Sequence, residues 1–230
     1  MKRILTTGII LSRTNYGEAD RILTILTPDN GKLRLGARGV RKVKSKLAGG
    51  IELFSTSHIT YMEGKSEVGT LISTRLIKHY GNIIKDIDRV QLGYELIKLL
   101  DKATEDQPEA EYYHLLEQAF AALDDDSINL ELVRVWFQAR LLRLSGHTPN
   151  LNVDTNDRKL NAETSYNFDL DAMAFIPHHA GKLRVEQIKV LRLLFGNSTP
   201  KALSKVDGLA EVLDDVALPI RSMLQSSLRL

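Results

Sequence analysis

The chain has 230 residues, of which 43% are hydrophobic, so it is long enough to bury one good core or two smaller ones. It contains no cysteine, which excludes disulfides, thiolate zinc sites and a cysteine nucleophile. The formal charge is only +2, and no apolar run approaches the roughly 20 residues that cross a bilayer, so we predict a soluble, cytoplasmic protein. A composition shift near residue 80 indicates two domains, residues 1–80 and 81–230.

The first 80 residues show the pattern of short β-strands. Runs rich in Ile, Leu, Thr and Val are separated by glycine-bearing turns, and they predict five strands at 4–12, 21–27, 32–37, 52–62 and 67–76. In residues 27–31 (TPDNG) the proline fixes φ near the value that a turn requires, and the glycine readily adopts a positive φ. This segment therefore predicts a tight antiparallel hairpin. Five short strands are too few for a sandwich, so we predict a small, partly open barrel of the OB type.

After Gly81 the apolar residues recur at helical spacing, so the predicted fold class is α+β with an all-helical second domain. The carboxylates and hydroxyl of 124–127 suit a helix N-terminus, and residues 150–181 form a loop-rich insert with short strands at 166–168 and 173–176. Six helices are predicted. The first begins near Asp86, the second spans 109–123, and the third follows 124–127 and ends at Gly146 and Pro149. The fourth spans 185–195, the fifth starts at the cap Thr199 and the first-turn residue Pro200, and the sixth runs from Pro219 to the end.

Among intervals of its length, that from residue 30 to residue 51 has the largest excess of positive over negative side chains in the chain. It holds seven cations and no carboxylate, and since the whole chain carries +2, the remainder is net negative. A concentrated positive field attracts a polyanion, and the glycines among the cations let a backbone approach a phosphate. A solvated loop kept basic for solubility is the alternative. The predicted nucleic-acid-binding residues are Lys32, Arg34, Arg38, Arg41, Lys42, Lys44 and Lys46.

Other chemistry has weaker support in the sequence. The basic interval has no aromatic residue, so base stacking either comes from Tyr16, Phe54 or Tyr61 or contributes little to binding. Phosphate-loop, nucleophile-elbow and zinc-protease motifs are absent, and we predict that the protein is not an enzyme. Residues 36–39 (GARG) match the G-x-x-G clamp of KH domains, but they follow a strand instead of joining two helices.

A metal site in the insert is a further hypothesis. Asp154, Asp157, His178 and His179 supply oxygen and nitrogen donors on the two sides of the insert. Adjacent residues on an extended chain point to opposite sides, so His178 and His179 are poorly suited to bind one ion together. We therefore predict no metal and no cofactor.

Several segments are similar to one known family. Residues 14–20 (TNYGEAD) are similar to its aromatic-x-Glu-x-Asp turn, and residues 31–42 (GKLRLGARGVRK) and 44–50 (KSKLAGG), followed by Leu53 and Phe54, are similar to its basic strand-and-loop signature. Weaker similarity covers 141–151 and 218–228. On these segments the chain resembles the bacterial recombination-mediator family RecO over most of its length.

The resemblance implies an N-terminal OB fold that binds single- and double-stranded DNA, and a helical domain that contacts RecR and the tail of single-strand-binding protein. It also implies the annealing of strands coated by that protein and assistance to RecA loading in recombinational repair, with no bond-breaking chemistry. Many members carry a four-cysteine zinc site in the insert, whereas this chain has Asp154 and Asp157 near the first pair of positions. Zinc is not carried over, and the insert is expected to be held by packing or partly disordered.

The tail of single-strand-binding protein is acidic and ends in apolar residues, so its site requires a cation beside an apolar groove. Arg134, Arg140 and Arg143 on the third helix are the candidates for this contact. An alternative function for the chain is an RNA-binding OB module with a helical interaction domain, acting in translation or RNA processing. Charge alone does not separate the two functions.

Overall fold

The computed structural model describes residues 2–64, 67–105 and 108–228. The chain divides into two compact units, Met1–Asp125 and Asp126–Leu230. In the described ranges, no helix is both long and apolar enough to cross a bilayer. The domain boundary near residue 80 stays a prediction.

Five strands open the first unit and close into a barrel in the order β1-β2-β3-β5-β4. Neighbouring strands are antiparallel except β3 and β5, which form a short parallel pair. The α+β class and the five-stranded OB-type architecture are confirmed, although the barrel is closed where the sequence predicted a partly open one. The strands are β1 Arg3–Tyr16, β2 Asp20–Leu26, β3 Lys32–Ala37, β4 Ser55–Met62 and β5 Val68–His79.

The predicted hairpin between β2 and β3 is confirmed. Gly31 has φ +60°, and its carbonyl accepts hydrogen bonds from the Thr27 amide and the Thr27 hydroxyl, each at 2.9 Å. The amide of Asn30 donates to the same hydroxyl at 3.0 Å. Glycine is needed here because only a residue without a Cβ adopts this φ at little cost. The turn fixes the register of β2 against β3.

The barrel interior is built by strand alternation. Successive side chains of a strand point to opposite faces, so Leu35 is buried in the core while Arg34, its neighbour, is exposed. The buried core of the barrel consists of Ile10, Leu23, Ile25, Leu35, Ala37, Val40, Ile51, Ile59, Tyr61 and Leu71. Most of its members are β-branched or aromatic residues or leucines, which pack well on a pleated surface.

Two helices complete the first unit, α1 Ile87–Ala103 and α2 Ala110–Leu123. The predicted start of this helix near Asp86 is confirmed, and Asp86 caps α1, because its side chain accepts from the amides of Asp88 and Arg89. Phe54 packs edge-on against Phe120 of α2 at 5.4 Å between ring centroids. A Cβ on Gly93 of α1 would lie 2.5 Å from the Phe54 ring, so this close approach requires glycine.

The second unit consists of α3 Leu130–Leu144, β6 Tyr166–Asp169, β7 Ala174–Pro177, α4 Val185–Phe195, α5 Pro200–Leu203 and α6 Leu209–Leu228. Helix α3 packs against α4 and α6. The two predicted strands of the insert are confirmed, as are α4 and the Thr199 cap with Pro200 in the first turn of α5. Edge-on contacts of Phe175 with Tyr166 and Phe168 pack the two strands of the insert against each other.

Two helix starts were predicted wrongly. The side chain of Asn129 caps α3, whereas Asp124 lies at the C-terminal end of α2. Helix α6 begins ten residues before Pro219, which lies inside it. Proline lacks the N–H for an internal helical bond, but buried residues on both sides of it, among them Val216 and Ile220, keep the helix continuous through packing.

Candidate nucleic-acid interface

The basic loop, residues 38–47, follows β3 and is fixed at its start by the turn between β1 and β2. The amide of Gly39 donates to Asp20 Oδ1 at 2.7 Å, and Gly39 itself has φ +63°. The backbone amide of Arg41 donates to Ala19 O at 2.9 Å, and its guanidinium donates to Gly17 O at 3.2 Å. The β1–β2 turn therefore sets the direction in which the loop leaves the barrel.

The other end of the basic loop is fixed on the barrel as well. Val40 is buried, and Leu47 packs against the barrel core. The hydroxyl of Thr74 on β5 donates to Leu47 O at 3.1 Å. Between these anchors the amide of Ser45 donates to Lys42 O at 2.9 Å and closes a turn. The loop thus crosses the barrel surface as an ordered segment attached at both ends.

Six of the seven predicted cations lie open on this surface. Arg34 is exposed on β3, and the loop exposes Arg38, Arg41, Lys42, Lys44 and Lys46. In the part of the chain that the structure describes, none of these six side chains forms an ion pair with a carboxylate. Their charge is therefore available to an external anion. We call this set the open cations.

Lys32 has a different environment. Its ammonium lies 2.8 Å from Asp101 Oδ1 and donates to the carbonyls of Asp101 and Thr104 at 2.7 and 2.9 Å. Its side chain is 9% exposed. These contacts neutralise the negative C-terminal end of α1. Because its ammonium is already paired, Lys32 is not one of the open cations, and its role in DNA binding stays a prediction.

Beside the basic loop lies a groove of about 310 Å³, lined by the ends of β1 and β3 and the starts of β2 and β5. Tyr16 borders it with 64% of its surface exposed, and Arg21 and Arg38 line it as well. This is the β2–β3 face on which OB folds bind oligonucleotides. Sequence reasoning missed Arg21 and the anchoring role of Asp20, although Asp20 closes the aromatic-x-Glu-x-Asp segment.

Only one of the three predicted stacking residues is placed to stack. Tyr16 is exposed, whereas Phe54 and Tyr61 are 3% and 2% exposed, so the prediction is wrong for these two. Phe54 has φ +55°, and its ring packs edge-on against Tyr94 of α1 and Phe120 of α2. Tyr61 points into the barrel core, where burial raises the pKa of its phenol. For Tyr61 on β4, a two-residue period does not by itself say which face of the strand is buried.

The candidate partner-binding arginines of α3 contact protein groups of the second unit. Arg134 pairs with Glu131 at 2.6 Å. Arg140 donates to Gly196 O and Arg143 to Phe195 O, so both satisfy carbonyls at the C-terminal end of α4. Burial first, and then the neighbouring charge of Arg143, lowers the pKa of Arg140. Two guanidinium groups are therefore held side by side.

The residues of the insert do not fit a zinc ion. Asp154 is 5% exposed, and its Oδ1 already accepts from the amides of Asn156 and Arg158 at 2.8 and 3.0 Å. His178 and His179 stack on each other at 4.7 Å between ring centroids. Over residues 2–64, 67–105 and 108–228, no three His, Asp or Glu side chains cluster at metal-binding distance. Hydrogen bonds to the Asp154 carboxylate close this turn.

The barrel places the chain in the class of OB-fold proteins with an appended helical region. Two models of one known protein family match the chain. The model of Recombination protein O N terminal matches residues 1–80, and that of Recombination protein O C terminal matches residues 84–228. The chain therefore belongs to the RecO family.

Individual relatives agree with this assignment. A protein of Dehalococcoides mccartyi strain 195 named DNA repair protein RecO is 30% identical over 96% of this chain and 88% of its own length. Proteins of the same name from Listeria welshimeri and Acetivibrio thermocellus are 31% and 32% identical over 63% and 65% of this chain and 56% and 59% of their own lengths. The family is one of DNA repair and recombination, and its name implies no catalysed reaction.

Proposed function

We propose that this chain is a recombination mediator that binds the backbones of single- and double-stranded DNA through the open cations and anneals complementary single strands. The observation that carries the proposal is an ordered loop beside an OB-type groove, whose exposed cations have no carboxylate partner among the described residues. Family membership favours DNA over the RNA-binding alternative. The protein acts by binding alone, in the cytoplasm.

The physical basis of annealing is charge screening. Two polyanions repel each other, and a cationic surface that neutralises phosphates releases the condensed counterions and lowers this repulsion. Phosphate contacts carry no sequence information, which suits a protein that must act on any complementary pair. The open cations supply this screening, and the bases of the two strands stay free to pair.

The groove at Tyr16 adds a site for one strand. An exposed aromatic ring offers a stacking surface of about 1–3 kcal/mol per base. Arg21 and Arg38 line the same groove, so a stacked base would have its phosphates near two cations. This arrangement supports a preference for single strands in the groove.

The proposal extends to partners. Arg140 and Arg143 lie close enough for one charge to lower the pKa of the other, and a carboxylate placed between them would relieve that repulsion. The acidic tail of single-strand-binding protein carries such groups, so we propose this pair, with Arg134, as its contact on the second unit. Binding of RecR, and through it assistance to RecA, completes the proposed role.

Annealing of complementary strands coated with single-strand-binding protein tests the proposal directly. We expect the chain to accelerate annealing of coated strands, and to bind single-stranded DNA at least as tightly as RNA of equal length in competition. The paired substitutions Arg140→Ser and Arg143→Ser should slow annealing on coated strands but not on bare ones. A strong RNA preference without annealing would contradict the proposal.

A further inference from the structure

The tip of the basic loop is apolar. Val43 is fully exposed, at 103% of the reference accessibility of valine. It lies within the turn that the Ser45 amide closes onto Lys42 O, between the exposed cations Lys42 and Lys44. An uncovered hydrocarbon side chain thus lies among the exposed cations of the basic loop.

The fold holds this tip away from the barrel. The loop is anchored through Gly39 and Arg41 at one end and through Leu47 at the other. Val43 therefore cannot bury itself without breaking those contacts, and its apolar surface gains only from contact with a ligand. The anchoring keeps the tip in place before any ligand arrives, which reduces the ordering cost of binding.

We propose that Val43 packs against an unpaired base of the strand whose phosphates Lys42 and Lys44 bind. Val43 lies between two cations of the loop, and along a nucleic-acid strand each base lies between two phosphates. The two lysines can therefore bind successive phosphates while the valine meets the base between them. Apolar side chains contact bases in other protein–DNA complexes. The contact rests on the proposed function, since it requires the loop to bind nucleic acid. A lipid surface is disfavoured because one valine side chain supplies only a small part of a membrane anchor.

This contact makes the loop selective for single strands. In a duplex the base faces are stacked and covered, so Val43 finds no apolar surface while the cations still find phosphates. The loop therefore binds both forms through charge, and binds the single strand more tightly through Val43. After annealing the contact is lost, which favours release of the duplex product.

The test is Val43→Ser in salt titrations with an oligonucleotide of thymidines. Because an apolar contact releases no condensed counterions, we expect affinity to fall about fivefold at every salt concentration, with an unchanged slope of log K against log salt. Lys44→Ser should instead reduce the slope by about 0.7. Val206→Ser, at a valine that is 38% exposed in the second unit, is the matched control and should change nothing.

Abasic and duplex oligonucleotides complete the design. The fivefold difference should vanish on an abasic strand and on a duplex of equal length. Wild-type affinity of Val43→Ser on thymidines, or an equal loss on abasic strands, would overturn the inference, as would a loss confined to binding of anionic vesicles. Failure of the proposed function looks different, since the wild-type protein itself would then bind DNA with no salt dependence.

Discussion

Replacing Arg38, Arg41, Lys42 and Lys44 together by alanine removes four of the open cations from one ordered loop. Each phosphate contact on a single strand contributes about 0.7 to the salt slope, so the loss of four reduces its magnitude by about 2.8. At 0.1 M salt this corresponds to a roughly 600-fold weaker association, and the ratio should shrink toward one near 1 M salt. The loss should be alike for all sequences, because phosphates are common to them.

The assay is fluorescence anisotropy with a labelled single strand, titrated at several salt concentrations. The folded state should be preserved, because exposed charges contribute little to stability and the loop anchors at Gly39 and Leu47 remain. Thermal unfolding of the variant should therefore match that of the wild type. A cooperative transition at much lower temperature would indicate a structural role for these cations.

A matched control separates local charge from net charge. Arg158, Lys159, Lys182 and Lys189 are exposed cations of the second unit, and their replacement by alanine removes the same total charge. We expect this control to keep nearly the wild-type salt slope and affinity. Equal weakening of the two variants would refute the assignment of binding to the basic loop.

Three further predictions concern the framework around the interface. Lys32→Met should lower the free energy of unfolding by about 1 kcal/mol. It removes the donor to two carbonyls at the end of α1, and water can replace it at the exposed carbonyl of Asp101. The salt slope of DNA binding should be unchanged. Tyr113→Phe should become less costly as the pH rises from 10 to 12, by about 2 kcal/mol, because burial raises the pKa of Tyr113 to about 12 and stability from the protonated phenol is lost over that range. Asp154→Ala should cost about 2 kcal/mol by leaving two amides unpaired.

Chemical denaturation measures all three effects. Asp154→Asn keeps an acceptor oxygen and is the control for Asp154→Ala, and a chelator should alter neither variant nor the wild type. A large stabilisation by added zinc would contradict the hydrogen-bonded turn. A reduced salt slope for Lys32→Met would return this lysine to the interface, and a constant cost of Tyr113→Phe across alkaline pH would contradict the shifted pKa.

Local patterns were sufficient for most of the fold. Runs rich in Ile, Leu, Thr and Val between glycine-bearing turns located all five strands. The proline, asparagine and glycine of residues 27–31 identified the hairpin, because turn chemistry is a property of neighbouring residues. The helix start near Asp86 and the cap at Thr199 were predictable for the same reason. Pro219 misled because its local cost is outweighed by apolar contacts along α6 that only the folded unit reveals.

The candidate site was likewise predictable in part. Charge and glycine content located the basic loop, but the partner of Lys32 lies 69 residues away in sequence, so its burial was not visible there. The burial of the two stacking candidates Phe54 and Tyr61 was not visible for the same reason, since it depends on helices and strands distant in sequence. No sequence feature indicated whether Val43, which lies among the cations, is buried or exposed. Its exposure became visible only in the anchored geometry of the loop.

The central claim is that open cations of the barrel surface bind DNA phosphates, and the salt dependence of single-strand binding by the unmodified chain tests it most directly. With about five cations in contact with phosphate, log K plotted against log salt should fall with a slope near −3.5. A slope near zero would show that binding, if it occurs, does not depend on the charge of the basic loop, and it would contradict the account.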